Sequence, residues 1–158
     1  MHAKIYQISL ENKSQDEWIH DEIIQDSDMA YFGIDYLYES VEREDDLQWL
    51  KDTLPKDMFS VNGNEITLLN DGTDILASHL KKIKDYVNGI NEEDYVNDTF
   101  PYEYKIKNIT NNILNVEHLF FIDDWAKYPN YSIDFIRYCH QHEKGTKLYV
   151  NGILDYHY

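Results

Sequence analysis

The chain has 158 residues, of which 42% are hydrophobic and 15% aromatic, and this composition excludes an intrinsically disordered protein. The length suits one domain that buries a core, and the single cysteine, Cys139, excludes an internal disulfide and a zinc site built from several cysteines. Thirty acidic residues against fourteen lysines and arginines give a net charge of −16, which disfavours direct binding of nucleic acid or of an anionic membrane.

The first third of the chain is predicted to form one strand and three helices. Alternating polar and apolar residues predict a strand at residues 4–10. Ser14 can cap a short helix, which is predicted to extend through residue 25. Apolar residues at helical spacing predict a second helix across residues 28–41, although Gly33 within it costs about 1 kcal/mol relative to alanine. A third helix is predicted at residues 44–54.

The middle of the chain is predicted to contain a hairpin and the clearest helix. Asn62 and Gly63 accept the positive φ angles of a tight turn, so residues 58–69 are predicted to form a β-hairpin. A strongly amphipathic pattern predicts a helix at residues 74–88. Residues 91–101 are acidic and predicted to be irregular.

The last third is predicted to alternate strands with one helix. Strands are predicted at residues 102–107 and 116–122, and a helix at residues 132–144. The dipeptide Asn151-Gly152 predicts a second Asn-Gly hairpin, which joins strands at residues 147–150 and 153–158.

These elements predict one α+β domain over residues 1–158. About six strands and five helices lack a regular βαβ alternation, which favours a largely antiparallel sheet. No run of apolar residues is long enough to cross a membrane, and the N-terminal residues do not have the pattern of a signal peptide. We therefore expect a cytoplasmic protein.

The acidic residues are concentrated near the N-terminus. Residues 11–57 hold fifteen acidic and four basic residues, a net charge of −11. A helix across residues 28–46 would align several carboxylates on one face, although like charges at helical spacing repel. The predicted partner-binding residues are Asp28, Asp35, Glu39, Glu42 and Asp46, flanked by Glu44 and Asp45. Such a row resembles the charge of a phosphate backbone, which basic grooves bind; the alternative is an exposed face that serves only solubility.

Two other clusters offer chemistry. Asp123 and Asp124 follow an apolar strand, where acid–base or metal chemistry often occurs, but adjacent strand residues point to opposite faces and no further motif accompanies them. Cys139 and His142 share a helix face and His140 lies between them, but a metal site needs further ligands. We predict no catalytic site, no metal and no cofactor, with a small metal-dependent enzyme that uses Asp123 and Asp124 as an alternative.

Residues 3–9 and 34–50 resemble segments of small acidic accessory proteins carried by phages and mobile elements. In size and charge the chain also resembles anti-CRISPR and antirestriction proteins that mimic DNA. The resemblance implies an inhibitor whose acidic helices occupy the basic nucleic-acid channel of a host defence nuclease. An immunity protein for a basic nuclease toxin and an interaction subunit with a merely solubilising charge are alternatives.

Overall fold

The central strand of the fold, β1 (His2–Ser9), is buried from Ala3 to Ser9. It belongs to a computed structural model that describes residues 1–97, 102–125 and 127–158. On one side β1 pairs in parallel with β5 (Leu119–Ile122), and on the other it pairs antiparallel with β6 (Lys147–His157). β1 is therefore an interior strand of the sheet, and its side chains contribute to a core on each face.

The sheet has six strands, and most of its pairs are antiparallel. The strand order is β3 (Phe59–Asn62), β4 (Glu65–Leu68), β6, β1 and β5. Strand β2 (Tyr36–Glu39) pairs with the C-terminal half of β6, next to the segment of β6 that pairs with β4. The sequence-based prediction of a single α+β domain with a largely antiparallel sheet is confirmed for its fold class.

The helices lie on both faces of this sheet. The α-helices in the described ranges are α1 (Asp26–Phe32), α2 (Arg43–Thr53), α3 (Thr73–Asn88), α4 (Glu92–Val96), α5 (Tyr102–Asn111) and α6 (Ser132–His140). Short 3-10 turns occur at Gln15–Glu17, Asp21–Ile23 and Asp123–Trp125. None of the helices in the described ranges combines the length and the apolar character that a membrane crossing requires.

Each face of the sheet buries its own hydrophobic core. The larger core contains Tyr6 and Ile8 of β1, with Leu50 of α2 and Phe135 of α6 packed over them. The smaller core lies on the opposite face and contains Ala3 and Ile5 of β1 together with Ile19, Ile24 and Ile34. The alternation of β1 therefore supplies one core with even-numbered residues and the other with odd-numbered residues.

The acidic first third is less helical than predicted. Residues 14–25 form two 3-10 turns in an otherwise extended segment, and this path brings both Ile19 and Ile24 into the smaller core. The predicted helix across residues 28–41 ends at Phe32, because Gly33 adopts a left-handed conformation with φ of 69°. The chain then continues as strand β2.

Two predictions for the middle of the chain are also wrong. The sequence predicts a strand at residues 102–107, but these residues belong to α5, whose partly buried Tyr102, Ile106 and Ile109 recur at helical spacing. A run this short is compatible with the two-residue period of a strand and with the 3.6-residue period of a helix, and packing against α3 favours the helix. The stretch expected to be irregular contains α4, and its residues 98–101 lie outside the described residues.

Asn151 and Gly152 do not form a hairpin, because β6 runs through them as one strand. They lie instead at an irregularity in the pairing of β6 with β1, opposite Gln7. The side-chain oxygen of Gln7 accepts hydrogen bonds from the backbone N–H groups of Gly152 and Ile19, both at 2.9 Å. The earlier hairpin is present, with Asn62 paired to Glu65 across the turn.

The close packing at Gly152 generates a test of the fold. A Cβ atom at residue 152 would lie 2.9 Å from the backbone nitrogen of Ile19 and 3.0 Å from the side-chain oxygen of Gln7. We expect Gly152→Ala to lower the free energy of unfolding by about 1–3 kcal/mol, since a packed core resists an added methyl group. The measurement is urea unfolding followed by tryptophan fluorescence.

Gly33→Asn is the matched control. Nothing lies within 4 Å of a Cβ atom at residue 33, and asparagine tolerates the left-handed conformation found there. This variant should unfold close to the wild type. Equal stability of Gly152→Ala and Gly33→Asn would show that the contact at Gly152 is not tight.

Candidate functional site

The predicted row of carboxylates does not lie on one helix. Its members are divided among α1, β2 and α2, because Gly33 ends α1 and the chain must become extended to pair with β6. Asp28 lies in α1, Asp35 before β2, Glu39 at the end of β2, Glu42 at the N-cap of α2, and Glu44, Asp45 and Asp46 in the first turn of α2.

Asp46 is the one predicted binding residue that the structure buries, with 3% of its surface exposed. One of its carboxylate oxygens lies 2.9 Å from Nζ of Lys4, and the other accepts a hydrogen bond from the hydroxyl of Ser40. The prediction that Asp46 lines a binding face is therefore wrong. Asp46 lies in the first turn of α2, on the same face as the buried Leu50, and this face packs over the sheet.

The other acidic residues of this region form a surface around the edge strand. Five of the predicted residues are exposed, and two tyrosines of β2 lie between them in the sequence, with 47% and 41% of their surface exposed. We call this group the β2 surface; it consists of Asp35, Tyr36, Tyr38, Glu39, Glu42, Glu44 and Asp45. Asp28 is partly buried and lies apart from it, on α1.

The aromatic part of the β2 surface is ordered by stacking. The Tyr36 ring lies parallel to the His157 ring, with 5.0 Å between centroids and 1° between planes. The Tyr38 ring lies 6.2 Å from the Tyr36 ring at 16°. Asp35 and Glu39 each have a histidine partner, with Asp35 at 3.1 Å from Nδ1 of His157 and Glu39 at 2.6 Å from Nδ1 of His20. Rigid rings between carboxylates suit contact with a cationic side chain.

The net negative charge of the surrounding region is displayed to solvent. Thirteen of the fifteen acidic residues within residues 11–57 are exposed. Of the four basic residues there, Lys13 pairs with Asp123 at 2.6 Å and Arg43 donates to the backbone oxygens of Val150 and Asn151. The guanidinium of Arg43 also stacks over Trp18 at 4.2 Å. Among the described residues, ion-pair partners of these fifteen carboxylates occur at Asp35, Glu39 and Asp46 only.

A buried ion cluster lies beneath the β2 surface. Nζ of Lys4 is 2.5 Å from Asp155 and 2.9 Å from Asp46, and Nδ1 of His2 is 2.9 Å from the other oxygen of Asp155. The strand register places Lys4 of β1 directly opposite Asp155 of β6. Tyr38 of β2 lies opposite the same aspartate on the other side of β6, so the cluster is next to β2. The cluster joins three elements through side chains, because β1 contributes Lys4 and His2, β6 contributes Asp155 and α2 contributes Asp46.

The cluster changes the pKa values of its members. Burial opposes the charge on Lys4, but hydrogen bonds to Asp155 and Asp46 outweigh burial and hold the pKa of Lys4 above its usual value. Burial likewise favours protonation of Asp155, yet hydrogen bonds from Lys4 and His2 keep its pKa below its usual value. Both residues are thus stabilised in their charged forms.

A buried histidine, His118, contacts the backbone of Lys4. Its Nδ1 accepts a hydrogen bond from the backbone N–H of Lys4 at 3.3 Å, while its buried Nε2 has no hydrogen-bond partner in the described part of the chain. The rings of Tyr6 and Trp49 pack edge-on against it, at 5.2 Å and 4.3 Å between centroids. Burial, aided by the charge of Lys4, lowers the pKa of His118 to about 4.

The two carboxylates proposed for acid–base chemistry have structural partners. Asp123 accepts hydrogen bonds from Gln7 at 3.1 Å and pairs with Lys13, and Asp124 accepts a hydrogen bond from the Tyr138 hydroxyl at 2.6 Å. These contacts tie the 3-10 turn after β5 to β1 and α6. They offer the adjacent carboxylates no shared target, so the arrangement gives the enzyme alternative no geometric support.

The residues considered for metal binding are also separated. Cys139 is buried in the larger core, and burial raises the pKa of its thiol. Nδ1 of His140 lies 2.7 Å from the backbone oxygen of Asp71, and the His142 ring packs edge-on against Tyr138. Across residues 1–97, 102–125 and 127–158, no group of three or more histidine, cysteine or acidic side chains is arranged to hold a metal ion.

Sequence reasoning missed the ion cluster, although β1 contains a clue to it. Lys4 occupies the same face of β1 as Tyr6 and Ile8, so the alternation places a lysine on a core-facing position. A buried lysine requires a charged partner. Neither Asp46 nor Asp155 can be chosen from the other acidic residues until the strand register is known.

Removal of the buried ammonium generates a second prediction. Lys4→Met leaves Asp46 and Asp155 buried without their shared cation, so we expect the free energy of unfolding to fall by about 3–5 kcal/mol. The measurement is urea unfolding at pH 7. Lys51→Met, which removes an exposed lysine, is the matched control and should change stability little. Similar stabilities for the two variants would contradict a structural role for the cluster.

The buried histidine generates a third prediction, on pH dependence. The unfolded chain takes up a proton on His118 near pH 6.5, whereas the folded chain does so only near pH 4. Stability should therefore fall as the pH is lowered through this window, by about 3 kcal/mol from His118 alone. The measurement is the free energy of unfolding at intervals between pH 7 and pH 4.5.

His118→Asn keeps an acceptor for the Lys4 N–H and removes the titrating group. This variant should lose less stability than the wild type between pH 7 and pH 4.5, whatever its stability at pH 7. An unchanged pH profile in His118→Asn would contradict the assignment.

A scan against protein-family models, a search of curated proteins and a search of solved structures each gave no match for this chain. A function for the protein must therefore follow from its own residues, and the β2 surface is the feature with the strongest chemical character.

Proposed function

We propose that this protein is an acidic inhibitor that binds the basic nucleic-acid-binding surface of another protein through the β2 surface. One observation carries the proposal: five exposed carboxylates and two exposed, stacked tyrosines lie within residues 35–45, in a region whose net charge is −11. The partner we propose is a host defence nuclease of the type that anti-CRISPR and antirestriction proteins inhibit. The protein acts by occupying the channel that otherwise holds DNA or RNA.

The arrangement of charge supports fast association with a basic partner. A surface with many carboxylates attracts a positively charged channel over about one Debye length, roughly 8 Å at physiological salt. Such attraction raises the rate of encounter more than it raises the strength of the final complex. The proposed complex should therefore form quickly and should weaken as salt is added.

The tyrosines support retention of the partner after encounter. Binding energy in interfaces concentrates on a few aromatic and arginine side chains, and Tyr36 and Tyr38 supply rigid aromatic area that side chains of the partner can cover. The stack with His157 fixes the Tyr36 ring before binding, which reduces the entropy lost on contact. Asp35 and Glu39 precede and follow the two tyrosines in the sequence, and their carboxylates favour lysine or arginine over neutral groups.

The Glu44 and Asp45 carboxylates have a structural role as well. Both lie in the first turn of α2, where the helix dipole stabilises negative charge by about 0.3–1 kcal/mol each. Asp35 and Glu39 lie at the two ends of a strand and gain nothing comparable from a helix. The proposed function therefore depends most on these two carboxylates.

Charge reversal tests the proposal. The test variant carries four substitutions, which change the net charge from −16 to −8. They are Asp35→Lys, Glu39→Lys, Glu42→Lys and Asp45→Lys. We expect this variant to inhibit DNA cleavage at least about tenfold less well than the wild type, since a basic channel would meet like charge. The measurement is cleavage by purified nucleases, namely RNA-guided effectors, restriction enzymes and a basic toxin nuclease, at several salt concentrations.

A second variant with the same net charge is the control. Asp74→Lys, Glu92→Lys, Glu93→Lys and Glu103→Lys also gives −8, at exposed positions on α3, α4 and α5. It should inhibit as well as the wild type at physiological salt. Equal inhibition by both variants, or inhibition that does not change with salt, would contradict a role for the β2 surface. Inhibition of the toxin nuclease alone would favour an immunity protein.

A further inference from the structure

A cavity between α1 and the N-terminal end of α6 has walls of aromatic rings and two carboxylates. It lies between α1, the segment before α6 and α6 itself, and its volume is about 300 Å³. We call it the aromatic pocket; it is lined by Asp28, Tyr31, Phe32, Tyr128, Tyr131 and Asp134. Its volume is at the lower end for small-ligand sites, so one long side chain is a suitable occupant.

The rings of the aromatic pocket stand at steep angles to one another. The Tyr31 and Phe32 rings are 5.0 Å apart at 89°, and the Phe32 and Tyr131 rings are 5.0 Å apart at 61°. Such rings present both faces and edges to the cavity, which is the arrangement used by aromatic cages for cations. Phe32 and Tyr131 also pack against the smaller core, so that part of the wall is held in place.

One ring of the pocket already binds a cation of the chain. Nζ of Lys107 lies 5.1 Å from the centroid of the Tyr31 ring, within the range of a cation–π interaction. Tyr31 also lines the neighbouring cavity, to which Lys107 belongs, so this tyrosine separates the two cavities. With 62% of its surface exposed, Tyr31 is accessible to a cation from outside as well.

The carboxylates give the pocket its preference for positive charge. Asp28 is partly buried and has no ion-pair partner in the described part of the chain. Asp134 is held by Arg137 at 3.2 Å, which leaves its second oxygen available. Two carboxylates beside aromatic faces match a planar guanidinium, because that group accepts stacking on its face and donates hydrogen bonds from its edge.

We propose that the aromatic pocket binds an arginine side chain of the basic partner, as a second contact apart from the β2 surface. This inference rests on the proposed function for the identity of the partner, and it adds a specific contact to the general attraction of charge. The pocket and the β2 surface lie toward opposite margins of the sheet, since Asn130 of the pocket wall pairs with Phe120 of β5 whereas β2 pairs with β6. A partner that covers both would span the face on which α1 lies.

A small arginine derivative tests the pocket without any partner protein. We expect N-acetyl-arginine amide to shift the NMR signals of the Tyr31, Tyr128 and Tyr131 rings in the full chain, with saturation at millimolar concentration. N-acetyl-citrulline amide has nearly the same shape without the charge and should shift none of them. Equal shifts with both compounds, or no shift with arginine, would overturn the proposal. Tetramethylammonium that binds more tightly than the arginine derivative would also overturn it.

Two variants assign the binding to the pocket. Asp28→Asn and Tyr31→Leu should each weaken binding of the arginine derivative by about two- to fivefold, because each removes one attraction for the cation. Both positions are at least partly exposed, so the fold should tolerate the changes. Tyr95→Leu, at an exposed tyrosine of α4, is the control and should bind as the wild type does.

The same variants separate this proposal from the proposed function. If the pocket anchors the partner, Asp28→Asn and Tyr31→Leu should also weaken nuclease inhibition. Inhibition that survives both substitutions but is lost on charge reversal of the β2 surface would overturn the anchor and leave the proposed function standing. Arginine binding in the pocket by a protein that inhibits none of the nucleases would instead refute the proposed function.

Discussion

The ion cluster of Lys4, Asp46 and Asp155 is the interaction on which the arrangement of the N-terminal half depends. It fixes α2 on one face of the sheet, and it does so where β1 and β6 are paired and β2 joins them. Because Asp46 follows Asp45 directly, the anchoring of one carboxylate inside the protein determines where its exposed neighbours emerge. The acidic surface is thus positioned by an acidic residue that is not part of it.

The fold class and the strongest elements follow from the sequence, whereas the candidate site does not. The alternation of β1 and the amphipathic pattern of α3 are local properties, so sequence suffices for them. The prediction that the carboxylates lie on one helix is wrong for two reasons. Gly33 ends α1 in a left-handed conformation, and β2 requires extended backbone in order to pair with β6. Asn151 and Gly152 show the same limit, since a neighbouring strand converts a turn sequence into a bulge.

Charge and aromatic residues act together in this protein. The β2 surface combines stacked tyrosines with exposed carboxylates, and the aromatic pocket combines three tyrosines and a phenylalanine with Asp28 and Asp134. A purely solubilising surface has no need of ordered rings between its charges, since charge alone keeps proteins apart. The repeated pairing of rings with carboxylates instead favours recognition of cationic side chains.

The position of β2 at the margin of the sheet also has a consequence for self-association. A strand with one free edge can pair with the same strand of a second molecule, and exposed tyrosines would favour such contact. In this chain the edge is only four residues long, with Asp35 before it and Glu39 at its end. Antiparallel pairing of two copies would bring Asp35 of each molecule close to Glu39 of the other. Electrostatic repulsion between these carboxylates would therefore oppose pairing of β2 with the same strand of a second molecule.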